Sequence, residues 1–180
     1  MKRIIFLLIG IFILSFGCSH DNLNTDSVLE EANLKYGVSK MLPIKGEVYV
    51  SVDEYDADGL GIVGKMSGYF SHLGKFNETK SIWTNISHDL SQFPPMITFV
   101  QDVAFCAANG DFLYGKYTGT MDWTTSEVYG TFVIDGGTGR FENASGQTSA
   151  NGYAWYDEYG RIAGMYLSGE GEISNVGIGK

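Results

Sequence analysis

Cysteine, proline and positive charge are all scarce in this 180-residue chain: 2 Cys, 3 Pro, and 12 Lys+Arg against 21 Asp+Glu. Two cysteines, at positions 18 and 106, exclude the disulfide framework on which many small secreted domains depend. A formal net charge of −9 excludes a general nucleic-acid binder, because such affinity comes mainly from Lys and Arg displacing counterions from phosphates. No apolar run is long enough to span a bilayer; the longest, Ile4 to Phe16, would make a helix of about 20 Å against a hydrocarbon core of roughly 30 Å. With so little proline and with 44% hydrophobic residues, the composition also excludes disorder of the whole chain. What is abundant is glycine, 24 residues, and the length is that of one domain.

The first segment reads as an address. Lys2 and Arg3 precede the apolar run, which is broken only by Gly10 and Ser15 and ends at Leu14-Ser15-Phe16-Gly17-Cys18. A basic start and a short apolar middle make a signal peptide. The segment ending at Cys18 resembles the lipobox of bacterial lipoproteins, which implies cleavage after residue 17 and lipid attachment at Cys18. Removing Lys2 and Arg3 would take the net charge from −9 to −11. At about 0.8 kcal/mol per buried methylene, the two or three acyl chains implied by the resemblance would anchor the protein without spanning the membrane. Residues 18–43 are polar and acidic and read as a tether, with one helical turn near Val28 to Tyr36. The expected location is the bacterial cell envelope, lipid-anchored at the outer membrane, on its periplasmic side or at the cell surface; Ser19-His20-Asp21 leaves the face open.

Residues 44–180 read as an all-β domain. Apolar residues alternate with polar or small ones and are interrupted by turn-formers every 8 to 14 residues, the pattern of an antiparallel meander. Val48, Val50 and Val52 share one parity ahead of an acidic turn over 53–59. Ile62, Gly64, Met66, Gly68 and Phe70 share the next face. After a turn at Leu73-Gly74, Phe76, Glu78, Lys80, Ile82 and Thr84 are expected on one face of a third strand. Ile97, Phe99, Gln101, Val103, Phe105 and Ala107 follow Phe93-Pro94-Pro95. Then come Leu113, Gly115, Tyr117, Gly119 and Met121, and Val128, Gly130, Phe132 and Ile134, with a final pair over 145–155 and 162–174 joined by Asp157-Glu158-Tyr159-Gly160. Glycine at alternate strand positions favours tight coiling, so the expected fold is a single meander closed into a roughly eight-stranded β-barrel. Closure also removes exposed strand edges.

Ser71-His72-Leu73-Gly74-Lys75-Phe76, Ala107-Ala108-Asn109-Gly110-Asp111, and Gly136-Gly137-Thr138-Gly139-Arg140-Phe141 with Ala144-Ser145-Gly146 occur in this order in bacterial proteins of the allene oxide cyclase-like barrel superfamily, which this domain resembles. The resemblance covers roughly residues 45–174 and rests on turn chemistry. It implies a calycin-like or dirigent-like barrel, in a superfamily whose plant cyclases and dirigent proteins hold apolar substrates, and it implies self-association into homo-oligomers. No catalytic residue carries over. Leu73-Gly74-Lys75-Phe76 and Thr138-Gly139-Arg140-Phe141 also look like two copies of one device, in which Gly turns the chain and Phe anchors the next segment inward.

Motifs with chemistry are few. Gly137-x-Gly139 is followed by Glu142 where a nucleotide loop has Gly, and no helix follows to take a phosphate. Glu54-x-Asp56-x-Asp58-Gly59 approaches a calcium loop, but Lys65 stands where the closing Glu belongs. His20, His72, His88 and Cys106 lack zinc-ligand spacing, and Ser145 lacks the Gly-x-Ser-x-Gly elbow. No metal, cofactor or catalytic residue is therefore assigned. Cys106 reads as a packed or pocket-lining side chain.

The aromatics remain. Eight strands enclose a lumen that side chains can fill or that can hold one small ligand. The candidate ligand-binding residues are Phe99, Gln101, Phe105, Tyr117, Phe132 and Arg140. Gln101 or a Tyr hydroxyl would fix a polar end, and Arg140 would either reach a ligand carboxylate from the barrel mouth or bond to loop carbonyls. Three functions fit: a non-catalytic barrel that binds a small apolar ligand or acts as an interaction module, a cofactor-free cyclase or isomerase, and a glycan-binding surface lipoprotein marked by exposed coplanar aromatics.

Overall fold

The computed structural model describes residues 40–174, 176 and 177; the expected signal peptide, Cys18 and nearly all of the expected tether lie outside the described residues. The described chain is β1 (Met41–Ser51), β2 (Glu54–Tyr55), β3 (Gly61–Phe70), β4 (Gly74–Lys75), β5 (Ile82–Asp89), β6 (Met96–Cys106), β7 (Phe112–Asp122), β8 (Glu127–Gly137), a single 3-10 turn at Gly139–Phe141, β9 (Ser145–Tyr156) and β10 (Ile162–Ser174). All pairings are antiparallel, and each long strand lies beside the next long one, as a meander requires. The ring closes where β1 pairs with β10 along its whole length and with β3 from Gly46↔Phe70 to Val50↔Met66. Eight long strands thus form the barrel, with β2 and β4 as short flaps on β3.

The alternation expected in β3, β6, β7 and β8 is the one observed. Ile97, Phe99, Gln101, Val103 and Phe105 face inward from β6, as do Leu113, Tyr117 and Met121 from β7 and Val128, Phe132 and Ile134 from β8. Two boundaries differ from the sequence expectation. β1 begins at Met41, so part of the expected tether is barrel wall: Met41, Leu42 and Pro43 pair with Ser174, Ile173 and Glu172. Pro43 fits because this end of β1 has β10 on one side only, its pairing with β3 starting at Gly46.

The segment expected as one strand through Phe76, Glu78, Lys80, Ile82 and Thr84 is instead a loop followed by β5. Lys80 and Ser81 both donate backbone N–H groups to the Asn77 carbonyl, at 3.1 and 2.9 Å. That turn resets the parity. Ser81 is buried, Ile82 points out, and Trp83 points into the lumen at 2% exposure.

One end of the barrel is sealed. Leu73, Phe76, Phe141 and Ile173 are buried beneath the 3-10 turn and the β3–β4 hairpin. The two Gly-x-Phe devices meet here: Gly74 and Gly139 have φ of +75° and +53°, and both phenylalanines are buried. A Cβ at Gly139 would also strike the Asp111 carboxylate. Gly139→Val is therefore expected to lower stability by about 1 to 3 kcal/mol; an unchanged melting temperature would count against this plug.

Candidate functional site

The middle of the lumen is crossed by one row of register partners. Gln101 on β6 lies opposite Tyr117 on β7, Tyr117 opposite Phe132 on β8, and Phe132 opposite Thr148 on β9. These four side chains, with Met66, Phe70, Trp83, Val103, Phe105 and Leu167 among others, line a central cavity of about 40 Å³. The walls are apolar except for Gln101, Tyr117 and Thr148. All three are buried, and neither the Tyr117 hydroxyl nor Thr148 Oγ1 has a hydrogen-bond partner among the described residues. A buried polar group left unpaired costs about 1 to 3 kcal/mol, so two on one wall of one cavity are not explained by packing alone.

Glycine makes room for Tyr117. Its ring lies over Gly119 and Gly130, where a Cβ would come within 2.6 Å of the ring at the first and 2.7 Å of the hydroxyl at the second. Phe99 flanks the ring at 5.9 Å between centroids, and Phe105 meets Phe132 edge-on at 5.4 Å. Burial pushes the Tyr117 hydroxyl well above the ordinary value of 10, so at neutral pH it is a fixed O–H donor. The unfolded chain gives up this proton near pH 10 while the folded chain retains it. Stability is therefore complete below pH 10 and falls as pH rises, by an amount approaching about 1.4 kcal/mol per pH unit. Tyr117→Phe is expected to remove that part of the alkaline loss in urea titrations at pH 9 and 11; parallel losses in both proteins would mean that Tyr117 ionises freely.

A second cavity of about 40 Å³ lies toward the other end of the barrel, lined by Leu60, Trp83, Phe99, Gln101, Met121 and Met165 and by partly exposed Val52, Gly61, Asn85, His88 and Ile162. Trp83 and Gln101 border both cavities. Trp83 is held by its indole N–H, which donates to the Ser51 carbonyl at 3.0 Å. The inward aim of His88 follows from a bulge: the register of β5 slips between Asn85 and Ser87, leaving Ile86 exposed and turning both Asn85 and His88 to the lumen. With its nitrogen turned toward the Val100 and Ser87 carbonyls at 3.1 Å, the Asn85 amide accepts from His88 Nδ1 at 3.3 Å. His88 also joins Asp56 and Asp58 in a group whose ligand atoms lie within 4.8 Å of one another, which sequence spacing did not reveal. Asp56 Oδ1 accepts from the Asp58 and Leu60 amides at 3.0 and 2.8 Å, so it already serves the turn.

The loops at this end are acidic. The β1–β3 connection carries Asp53, Glu54, Asp56 and Asp58, and β5 ends on Asp89 ahead of the β5–β6 loop. Asp122 and Glu127 flank the β7–β8 turn, and Asp157 and Glu158 occupy the β9–β10 turn. Several have a structural duty: Asp122 Oδ1 accepts from Thr124 N at 2.7 Å, and hydrogen bonds from the Ser91 and Arg161 amides hold the carboxyls of Asp89 and Asp157 below the usual range. The one basic residue in these loops, Arg161, is paired with Asp157 at 2.8 Å. At the sealed end the signs are mixed, with Lys75, Lys80 and Arg140 beside Glu78, Asp111 and Glu142.

Of the candidate ligand residues, the structure gathers Phe99, Gln101, Phe105, Tyr117 and Phe132 on the two cavities and leaves Arg140 out. Arg140 sits at the sealed end, where its Nη2 donates to the Leu73 carbonyl at 3.2 Å and the guanidinium stacks 4.8 Å from the Phe141 ring centre. It ties the two turn devices together and lines neither cavity. Cys106 is wholly buried near the same end and lines neither cavity. Trp83, one of the aromatics expected on or beside the strands, borders both cavities, and Thr148 joins the site without having been singled out for it.

On the outer wall, Tyr49, Tyr166 and Tyr153 are register partners across β1, β10 and β9, with ring centroids 5.1 and 5.5 Å apart. Their planes are inclined at 51° and 40°, so the stripe is not the coplanar platform on which sugar rings stack.

No family model matches the chain, and no curated protein does. Among solved structures it is similar to the pterocarpan synthase dirigent protein, at 18% identity and a TM-score of 0.43, over 77% of this chain and 87% of that one.

Proposed function

We propose that the protein is a lipid-anchored component of the bacterial cell envelope whose barrel is a non-catalytic module binding one small, mainly apolar molecule in its lumen. The observation that carries the binding role is the pair of buried, unpartnered hydroxyls of Tyr117 and Thr148 on the wall of an otherwise apolar cavity. A barrel filled only for stability would place apolar side chains there. The two cavities as they stand, about 40 Å³ each, hold one or a few waters, well below the 150 Å³ that accommodates benzene. Met66, Met121 and Met165 line them, and methionine's unbranched, flexible side chain is the one best suited to move aside for a guest. The partly exposed residues of the outer cavity provide the entry; the other end is plugged.

Native mass spectrometry with organic extraction, on full-length protein purified from its host's envelope, tests the binding role. A stoichiometric apolar adduct is expected; an unliganded protein would shift the function to the outer surface. The anchor is tested separately. Cys18→Ala is expected to abolish acylation and leave the chain unprocessed or free of the membrane, whereas membrane retention with a cleaved N-terminus would defeat the lipoprotein reading.

A further inference from the structure

Building on the reading of the lumen as a binding cavity, we infer that its ligand is uncharged and carries an oxygen acceptor, such as the carbonyl of a ketone, aldehyde or ester, seated against Tyr117 and Thr148, and that carboxylates and phosphates are rejected. Three observations converge on this. First, the groups on the cavity wall that have no partner among the described residues are both hydroxyls able to donate, and a carbonyl oxygen has two lone pairs to receive them. Gln101, on the same wall, adds an amide that can donate as well.

Second, among the described residues none that lines the central cavity carries a charge. An ionised carboxylate placed there would lose its hydration without gaining a counter-charge, a penalty of several kcal/mol. Arg140, the nearest candidate for one in the sequence, lies at the sealed end with its Nη2 on the Leu73 carbonyl and lines neither cavity. Third, the partly exposed lining residues of the outer cavity lie at the end ringed by acidic loops, where Arg161 is paired with Asp157 and Lys65 of β3 with Asp53. Loops of one sign around a low-dielectric opening repel ligands of the same sign. Entry and seat therefore discriminate in the same direction, although they are built from different residues.

The test uses the full-length protein in lipid nanodiscs, labelled with 13C at the methionine methyls. Met66, Met121 and Met165 report on the lumen, and Met41 and Met96, which line neither cavity, serve as references. Three probes of one skeleton are titrated at pH 7 and compared at equal free aqueous concentration: cyclohexanone, cyclohexanecarboxylate and methylcyclohexane. Cyclohexanone is expected to shift the lumen methyls with an affinity at least tenfold above that of either other probe. The double variant Tyr117→Phe, Thr148→Val should bring it down to the level of methylcyclohexane. Equal or tighter binding of the carboxylate or the hydrocarbon in the native protein would overturn this inference while leaving the lumen a binding cavity, as would a ketone preference that survives the double variant. If none of the probes shifts the lumen methyls, the binding reading itself fails, and this inference with it.

Discussion

Gly64→Ala is expected to lower the stability of the barrel by about 3 kcal/mol, a large effect for the addition of one methyl group. Gly64 sits on β3 opposite Trp83 of β5, close to the seam where β1 closes the ring. A Cβ there would fall on the Ser51 carbonyl oxygen and within 2.7 Å of the Trp83 indole nitrogen. Those two atoms are the partners in the 3.0 Å hydrogen bond that holds Trp83 in the lumen. Neither can retreat cheaply, since one is backbone and the other belongs to the largest side chain in the core. The substitution would therefore either part β1 from β3 or evict the indole. Gly160→Ala is the control: φ is +78° and nothing lies within 4 Å of the added carbon, so the loss there should be about 1 kcal/mol. Urea midpoints for the two variants measure the difference. Equal losses would mean that the seam is looser than described.

Tyr117→Phe is expected to act in opposite directions on stability and on binding. Without a ligand, removing a buried hydroxyl that has no partner should stabilise the fold by about 1 kcal/mol, raising the melting temperature by a few degrees. With a carbonyl ligand, the same change removes one of the two donors and should weaken binding about tenfold or more. Loss of stability is the usual result of altering a buried residue, so a gain would identify the hydroxyl as held for something other than folding. A destabilised Tyr117→Phe with unchanged ligand affinity would assign the hydroxyl a structural partner and remove it from the site.

The sequence carried most of the barrel because most of it is local. In β6, β7 and β8 the inward parity runs without a break from Ile97 to Phe105, from Leu113 to Met121 and from Val128 to Ile134, so inward faces could be assigned by parity. The stretch from Phe76 to Thr84 defeated the same reasoning. The Asn77-centred turn has no glycine or proline to announce it, and it shifts the parity so that Trp83, not Ile82, faces the lumen. The bulge in β5 hid His88 in the same way. Parity along β9 did contain a signal for Thr148, since Thr148, Ala150, Gly152 and Ala154 share a face opposite Gln147, Ser149, Asn151 and Tyr153.

What parity cannot supply is register. That Gln101, Tyr117, Phe132 and Thr148 fall in one row depends on pairings across four strands, set by turn lengths and by the slip between Leu113 and Gly115. Arg140 shows the same limit. Its neighbours revealed a turn, but which end of the barrel that turn occupies, and that Leu73 waits there to accept its hydrogen bond, follow only from closure. The acidic end was likewise visible only piecemeal, as an acidic turn at 53–59 and an Asp-Glu pair at 157–158. The meander places alternate loops at one end, and so gathers them with Asp89, Asp122 and Glu127.

The most direct measurement is a high-resolution crystal structure of the protein isolated from its own host. Continuous density is expected in the central cavity for a molecule larger than water, with an oxygen within hydrogen-bonding distance of the Tyr117 hydroxyl and Thr148 Oγ1, and with Met66, Met121 or Met165 displaced to admit it. A lumen filled by its own side chains, with those two hydroxyls bonded to water or to each other, would contradict it.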